Sequence, residues 1–314
     1  MLRYILKRIL LIIPVVIGIS IIIFTLMSLA PGDTASQLLG RTAKPEEIAM
    51  LKEKLGLNDP LPTQYFRYMG NLLKGDFGNS YQNGKPVVEE MAMRFPITLR
   101  LALFSTMLVI VFGVGTGIVS AVKQYSVLDM TVTTLALVLA SMPEFWVGLL
   151  LLLVFALQLR WLPAFGTETW LSYILPVFVL SLGIMSMAVR VTRSTMLEVI
   201  RQDYIRTARA KGADEKRVIL RHALKNALIP VITVVGVDFG NILAGTVVIE
   251  TVFGISGIGA MIVNAVKLKD IPVAMTATLF LSILFSLIIL VLDVIYAYID
   301  PRIKAEFSRK TARW

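Results

Sequence analysis

Apolar and polar positions along this chain fall into long blocks rather than short amphipathic repeats. Six blocks, residues 9–29, 101–122, 130–157, 171–189, 227–249 and 273–298, are almost uninterruptedly apolar. A helix needs about 20 such residues to cross the hydrocarbon layer of a bilayer, so each block predicts a membrane span. Ser28-Leu29-Ala30 has the small-residue look of a signal cleavage site. The preceding run, however, exceeds the ~7–15 residues of a signal core and is kept as a span. Residues 31–96 are polar, with eight Lys/Arg balanced by eight Asp/Glu, and predict a small ordered subdomain rather than a charged tail. Within them a helix is expected from about Glu46 to Lys52, starting near Thr42 or Pro45 and broken by Gly56, Asn58-Asp59-Pro60 and Pro62. The glycine-rich stretch from Gly254 to Gly259 reads as a loop or a short re-entrant element.

Composition agrees with the pattern. Hydrophobic residues make up 56% of the chain and charged ones only 17%, against about 45–50% and 25% in soluble domains. The mean hydropathy is +0.77. A net charge of +10 raises the question of nucleic acid. The basic residues sit in short segments between apolar blocks, which answers to membrane topology and not to a nucleic-acid face. With no cysteine and a single histidine, His222, disulfides, thiol chemistry and zinc clusters are not available.

Lys and Arg near span ends favour the cytoplasmic side. Residues 190–225 carry ten of them, the N-terminus three (Arg3, Lys7, Arg8) and the C-terminal tail five. Six spans put these three regions on one side, together with Lys123. Both termini are therefore expected in the cytoplasm, and residues 31–96 outside.

The loop at 190–227 holds the most local detail. Residues 195–200 extend the fourth span, and 203–211 are rich in helix formers. Gly212 is a natural helix stop and Asp214 a natural N-cap for a second helix over 215–228. Small residues Thr207, Ala208, Ala210, Gly212 and Ala213 cluster at the bend, and Tyr204, Ile205, Val218 and Ile219 are expected to offer an exposed apolar surface. Two readings stand side by side: a bent helix pair that docks into a cleft of another protein, or a solvated basic loop that only fixes topology.

Thr207-Ala208-Arg209-Ala210-Lys211-Gly212 resembles the signature of binding-protein-dependent ABC importer permeases, and Tyr204 to Gly212 with Arg221 to Pro230 is similar to its dipeptide/oligopeptide/nickel branch, B-type subunit. Arg206 stands for the general signature's Glu and Thr207 for its first Ala, and its Leu-Pro pair is absent. Pro31-Gly32-Asp33, Leu55 to Leu61, Gly75 to Ser80, Trp161-Leu162-Pro163 and Asp300-Pro301-Arg302 also fit in order. Phe253 to Gly259 keeps Gly257 and Gly259 but lacks the branch's Trp-Pro. The resemblance implies an all-α, six-span type I permease with an extracytoplasmic subdomain. It implies a first segment over 1–30, the subdomain over 31–96, a core over 97–299 with coupling helices at about 203–228, and a tail over 300–314.

The resemblance also assigns roles. Arg206, Thr207, Ala208, Ala210, Gly212, Ala213 and Asp214 would couple to the ATPase. The partners would be two ATPase subunits that use ATP and Mg, a C-type permease forming a heterodimer with this chain, an extracytoplasmic solute-binding protein and membrane lipid. The cargo would be di- or oligopeptides, with nickel, a metal chelate or glutathione as alternatives. No Gly-x-x-x-x-Gly-Lys-Ser/Thr string occurs, so no cofactor is expected on this chain and the energy must come from partners.

Ionisable residues inside spans mark pathways or buried partners. Asp238, with Asn241 one turn on, and Glu144, placed mid-span after Pro143, are candidates for the substrate path or for interhelical hydrogen bonds. Gly236 and Gly240, four apart, suit close packing against a second permease or within the chain. Gly254-Ile255-Ser256-Gly257 matches a serine-protease string, but the one histidine lies on the cytoplasmic loop and Ser256 is predicted outside, so an enzyme is set aside. A secondary carrier is set aside as well, for want of a clear inverted repeat.

Overall fold

The computed structural model describes residues 2–40 and 43–299, so Thr42 and the expected tail at 300–314 lie outside the described residues. Among the described residues every regular element is helical: α1 (Leu2–Leu29), α2 (Thr34–Leu39), α3 (Pro45–Leu55), α4 (Leu61–Leu73), α5 (Val87–Leu108), α6 (Gly115–Val122), α7 (Val127–Ser141), α8 (Glu144–Leu151), α9 (Ile174–Ile200), α10 (Asp203–Ala210), α11 (Glu215–Arg217), α12 (Leu224–Gly245), α13 (Val247–Val252), α14 (Ile258–Lys267) and α15 (Ile271–Ile299). Wide π turns over Val109–Val114 join α5 to α6, and others over Val218–Ala223 join α11 to α12. Five helical stretches are long and apolar enough to span a membrane, and a sixth forms if one bent pair counts as a span.

That bent pair corrects the expectation of a single helix over 130–157. α7 and α8 meet at 100°. Pro143 disfavours helical backbone in the residue before it, and Met142 is extended (φ −89°, ψ 131°), which ends α7. Glu144 therefore opens α8 at the bend instead of standing mid-span.

The chain divides into two compact units. The first comprises Leu99–Ile255 and the last helix from Leu287. Here α9 is the central element, with α6, α7 and α12 packed on it. Gly113 and Gly117 let it approach: a Cβ at Gly117 would stand 2.7 Å from that of Thr192 and 2.9 Å from the Val189 carbonyl oxygen. Gly236 serves the same end against the last helix, since a Cβ there would stand 2.2 Å from Leu292 Cδ2. Close packing of Gly236 within the chain, one of its two readings, is thus present.

The second unit comprises Leu2–Thr98 and Ser256–Ser286. Its core joins Phe24 and Met27 of α1, Val87 and Met91 of α5, Ile258 and Met261 of α14, and Val273 to Ala277 of α15. α2 starts on Asp33, whose side chain accepts from Ser36 N, and α3 starts with Pro45 at its first position. Polar ties fasten this unit. Asp270, 2% exposed, accepts from Ser80 Oγ at 2.5 Å and from the Tyr81 and Gln82 amides at 3.1 and 3.4 Å. Lys269 Nζ donates to the Ala30 carbonyl at 2.5 Å and also to that of Gly32. The Tyr68 hydroxyl meets Thr276 Oγ1 at 2.7 Å, and burial pushes its pKa up to about 12, so it stays protonated.

Candidate functional site

The bend at 203–217 is built by local backbone chemistry. Gly212 adopts φ +77°, a left-handed conformation that costs other residues about 1–2 kcal/mol. Around it the Gly212 amide donates to the Arg209 carbonyl at 2.9 Å and the Ala213 amide to the Ala208 carbonyl at 3.2 Å, which satisfies the end of α10 in a Schellman arrangement. Asp214 then caps α11, its carboxylate accepting from Lys216 N at 3.2 Å. Both the Gly212 stop and the Asp214 cap fall where the sequence predicts them.

The surface does not. Ile205 and Val218 are fully buried and Ile219 nearly so, against the expectation that they are exposed; only Tyr204 is. They form a cluster with Ala121, Met196, Ala223 and Ala227, against which Ala208 and Ala213 also pack. The physical reason is that α10 is amphipathic and its one apolar stripe faces α6, α9 and the start of α12. Arg206, Thr207, Ala210, Gly212 and Asp214 are left on the bare side. No heavy atom lies within 4 Å of the place where a Gly212 Cβ would stand.

Two ion pairs brace this region, and sequence reasoning missed both. Arg209 donates to Glu215 through Nε at 2.9 Å and Nη2 at 2.6 Å, a bidentate clasp across the bend. Arg193 on α9 donates to Asp129 at the start of α7, at 2.6 and 2.7 Å. Asp129, 2% exposed, also accepts from Tyr125 N at 2.9 Å and from the Ser120 hydroxyl. Arg209 and Glu215 are six residues apart around a predicted Gly turn, which was a usable signal; Asp129 and Arg193 are 64 apart, and nothing local links them. Tyr204 Oη accepts from Asn226 Nδ2 at 2.8 Å, tying α10 to α12.

The span candidates stand as follows. Asp238 is half-buried on α12, and its Oδ1 accepts from Asn241 Nδ2 at 3.3 Å. Glu144 lies over α9, where a Cβ at Gly183 would stand 3.2 Å from its Oε1. No hydrogen bond among the described residues joins Glu144 to Asp238 or Asn241.

Residues 113–305 match the binding-protein-dependent transport system inner membrane component family, and residues 1–102 match the N-terminal domain of such membrane components. The chain belongs to that family. It is an ABC importer permease of the peptide branch and a multi-pass inner-membrane protein, not an enzyme. A dipeptide transport system permease of Alkalihalophilus pseudofirmus is 44% identical over 97% of this chain and all of its own length. Glutathione transport system permeases of Salmonella paratyphi A and Escherichia coli K12 are 42% and 40% identical over 97% of this chain and 99% of theirs. The inward-facing MetNI methionine ABC transporter shares the permease fold, with a TM-score of 0.59 and 18% identity over 68% of this chain and 98% of its own. Membership of the family brings ATPase and substrate-binding partners in general.

Proposed function

We propose that this permease forms one half of the translocation path of an importer for di- and oligopeptides, and that the 203–217 bend is where an ATPase subunit applies force. The observation that carries the reading is the two-sided bend. Its bare side presents Arg206, Thr207, Ala210, Gly212 and Asp214 with open space over Gly212. Its other side plugs Ile205, Ala208 and Ala213 into the core beneath α9 and α12. A push on the tip is thus delivered to two long helices and not absorbed by a floppy loop.

Two ATPase subunits, turning over ATP with Mg, supply the stroke; a C-type permease completes the pore; and a solute-binding protein delivers cargo to the side opposite the termini, which are cytoplasmic. Asp238, Asn241 and Glu144 line the path, where a carboxylate attracts a peptide's amino group. Glutathione, itself a tripeptide, falls in the same cargo class and is favoured as a second reading by the relatives 40–42% identical to this chain.

The test places a cysteine at Ala210 in the assembled transporter and seeks crosslinks to the ATPase. Gly212→Trp should leave membrane insertion and ATP hydrolysis in place while lowering uptake by about tenfold or more, the loss of one coupling contact. Crosslinks that never reach an ATPase, together with normal uptake by Gly212→Trp, would sink the proposal.

A further inference from the structure

A cavity of about 590 Å³ opens beside the α5 and α9 helices, far along the sequence from the bend. Its body is apolar, walled by Phe104, Leu108, Val177 and Phe178. The walls are fixed before anything enters: Ser105 Oγ donates to the Val177 carbonyl at 3.2 Å, and the Phe104 and Tyr173 rings meet edge to face with centroids 6.4 Å apart. At one end the lining turns charged, with Arg100 and Glu168. Both are exposed, and among the described residues neither makes an ion pair or a side-chain hydrogen bond.

The depth of this cavity can be read from the chain. Arg100 sits directly before the apolar block that begins at residue 101, and Trp170 begins the next long span. Trp170 is 74% exposed and Trp161, in the preceding loop, 67%. Exposed tryptophans at span ends mark the headgroup level of a bilayer. The surrounding helix faces are apolar and bare at Leu103, Phe104, Met107 and Phe178. The cavity therefore runs from headgroup level into hydrocarbon, with one positive and one negative side chain at its mouth.

We infer that this groove holds a phosphatidylethanolamine molecule: Arg100 takes its phosphate, Glu168 its ammonium, and the Phe104–Phe178 channel the first part of one acyl chain. A cation and an anion in one lining complement a zwitterion, whereas an anionic lipid such as phosphatidylglycerol, whose terminal glycerol is uncharged, would leave Glu168 without a counter-charge. The primary ammonium donates hydrogen bonds to a carboxylate, and the quaternary ammonium of phosphatidylcholine does not. The volume lies within the range of small-ligand pockets and suits a headgroup, glycerol and several methylenes, not a whole lipid.

The assembled transporter, purified from membranes, is stripped of loose lipid and examined by native mass spectrometry. Bound phosphatidylethanolamine should persist, and Arg100→Gln or Glu168→Gln should each lower its occupancy by about tenfold, the loss of one charge-assisted hydrogen bond. A diazirine-tagged phosphatidylethanolamine should label the peptides that hold Phe104 and Phe178. Retention of phosphatidylglycerol or phosphatidylcholine as strong as that of phosphatidylethanolamine would overturn the assignment. So would unchanged occupancy in both charge variants, or crosslinks from a cysteine at Phe104 to a partner protein. If either charge variant fails to assemble, Phe178→Trp narrows the channel with the charges intact; it should lose the lipid, and full retention would overturn the proposal.

Discussion

The bend at 203–217 and the turn at 76–86 are both short polar segments between helices and both have local backbone bonds, yet only the second is also anchored by a distant buried carboxylate. The bend is closed by its own backbone: a left-handed Gly212, a Schellman pair and an Asp214 cap, all between Ala208 and Lys216. Its side-chain clasp, Arg209 to Glu215, spans only six positions and stays exposed. The 76–86 turn has backbone bonds of its own, Ser80 N to the Lys85 carbonyl at 2.8 Å and Val87 N to that of Gly78 at 3.1 Å, but it is also anchored to Asp270, about 190 residues away and buried, which gathers one hydroxyl and two amides. A locally closed element keeps its shape while presenting a bare face, which the proposed coupling role requires. A turn with a remote pin adds to its local bonds a hold that loosens when the pin is removed.

The contrast can be broken most sharply at the pin. Asp270→Ala leaves the Ser80 hydroxyl and two amides without their acceptor, at a cost of about 3–5 kcal/mol. Hydrogen exchange should rise steeply over residues 76–86 and stay unchanged over 203–217. Equal loosening of both segments would erase the distinction. Next in size is Ile205→Ala, which empties a fully buried position under the bend and should cost about 2–4 kcal/mol. Here exchange should rise at α10, and uptake should fall more than ATP hydrolysis as the plug slackens. Gly212→Ala strains a backbone at φ +77° without meeting any neighbour, so about 1–2 kcal/mol is expected; the readout is the melting temperature of the purified transporter. Smallest is Arg209→Ala, which removes an exposed pair worth about 0.2–1 kcal/mol and should matter less as salt is raised.

What the sequence made legible follows the same division. Five of the six spans, the Gly212 stop and the Asp214 cap are local matters of composition and spacing, and they lie where the residues predict. The Pro143 break was equally local, but an apolar run on both sides of it masked the 100° bend between α7 and α8. The burial of Ile205, Val218 and Ile219 was not legible, because an apolar residue on a loop helix looks the same whether it faces a partner or its own chain. Nor were the ties of Asp129 to Arg193 and of Asp270 to Ser80, which depend on segments meeting across 64 and 190 positions. Gly113 and Gly117 share the four-residue spacing of Gly236 and Gly240 and admit α9 at close range, but spacing alone does not say which helix they receive.

The wide turns over Val218–Ala223 have a geometric corollary. A π turn takes up one more residue than an α turn, so everything beyond it is out of phase with a uniformly wound helix by about 100° of azimuth and 1.5 Å of rise. Asp238 and Asn241 lie beyond it on the same rod. The compass bearing of those two side chains is thus written into a six-residue coil placed right after the bend, and unwinding that coil would swing them round the axis like the hand of a dial.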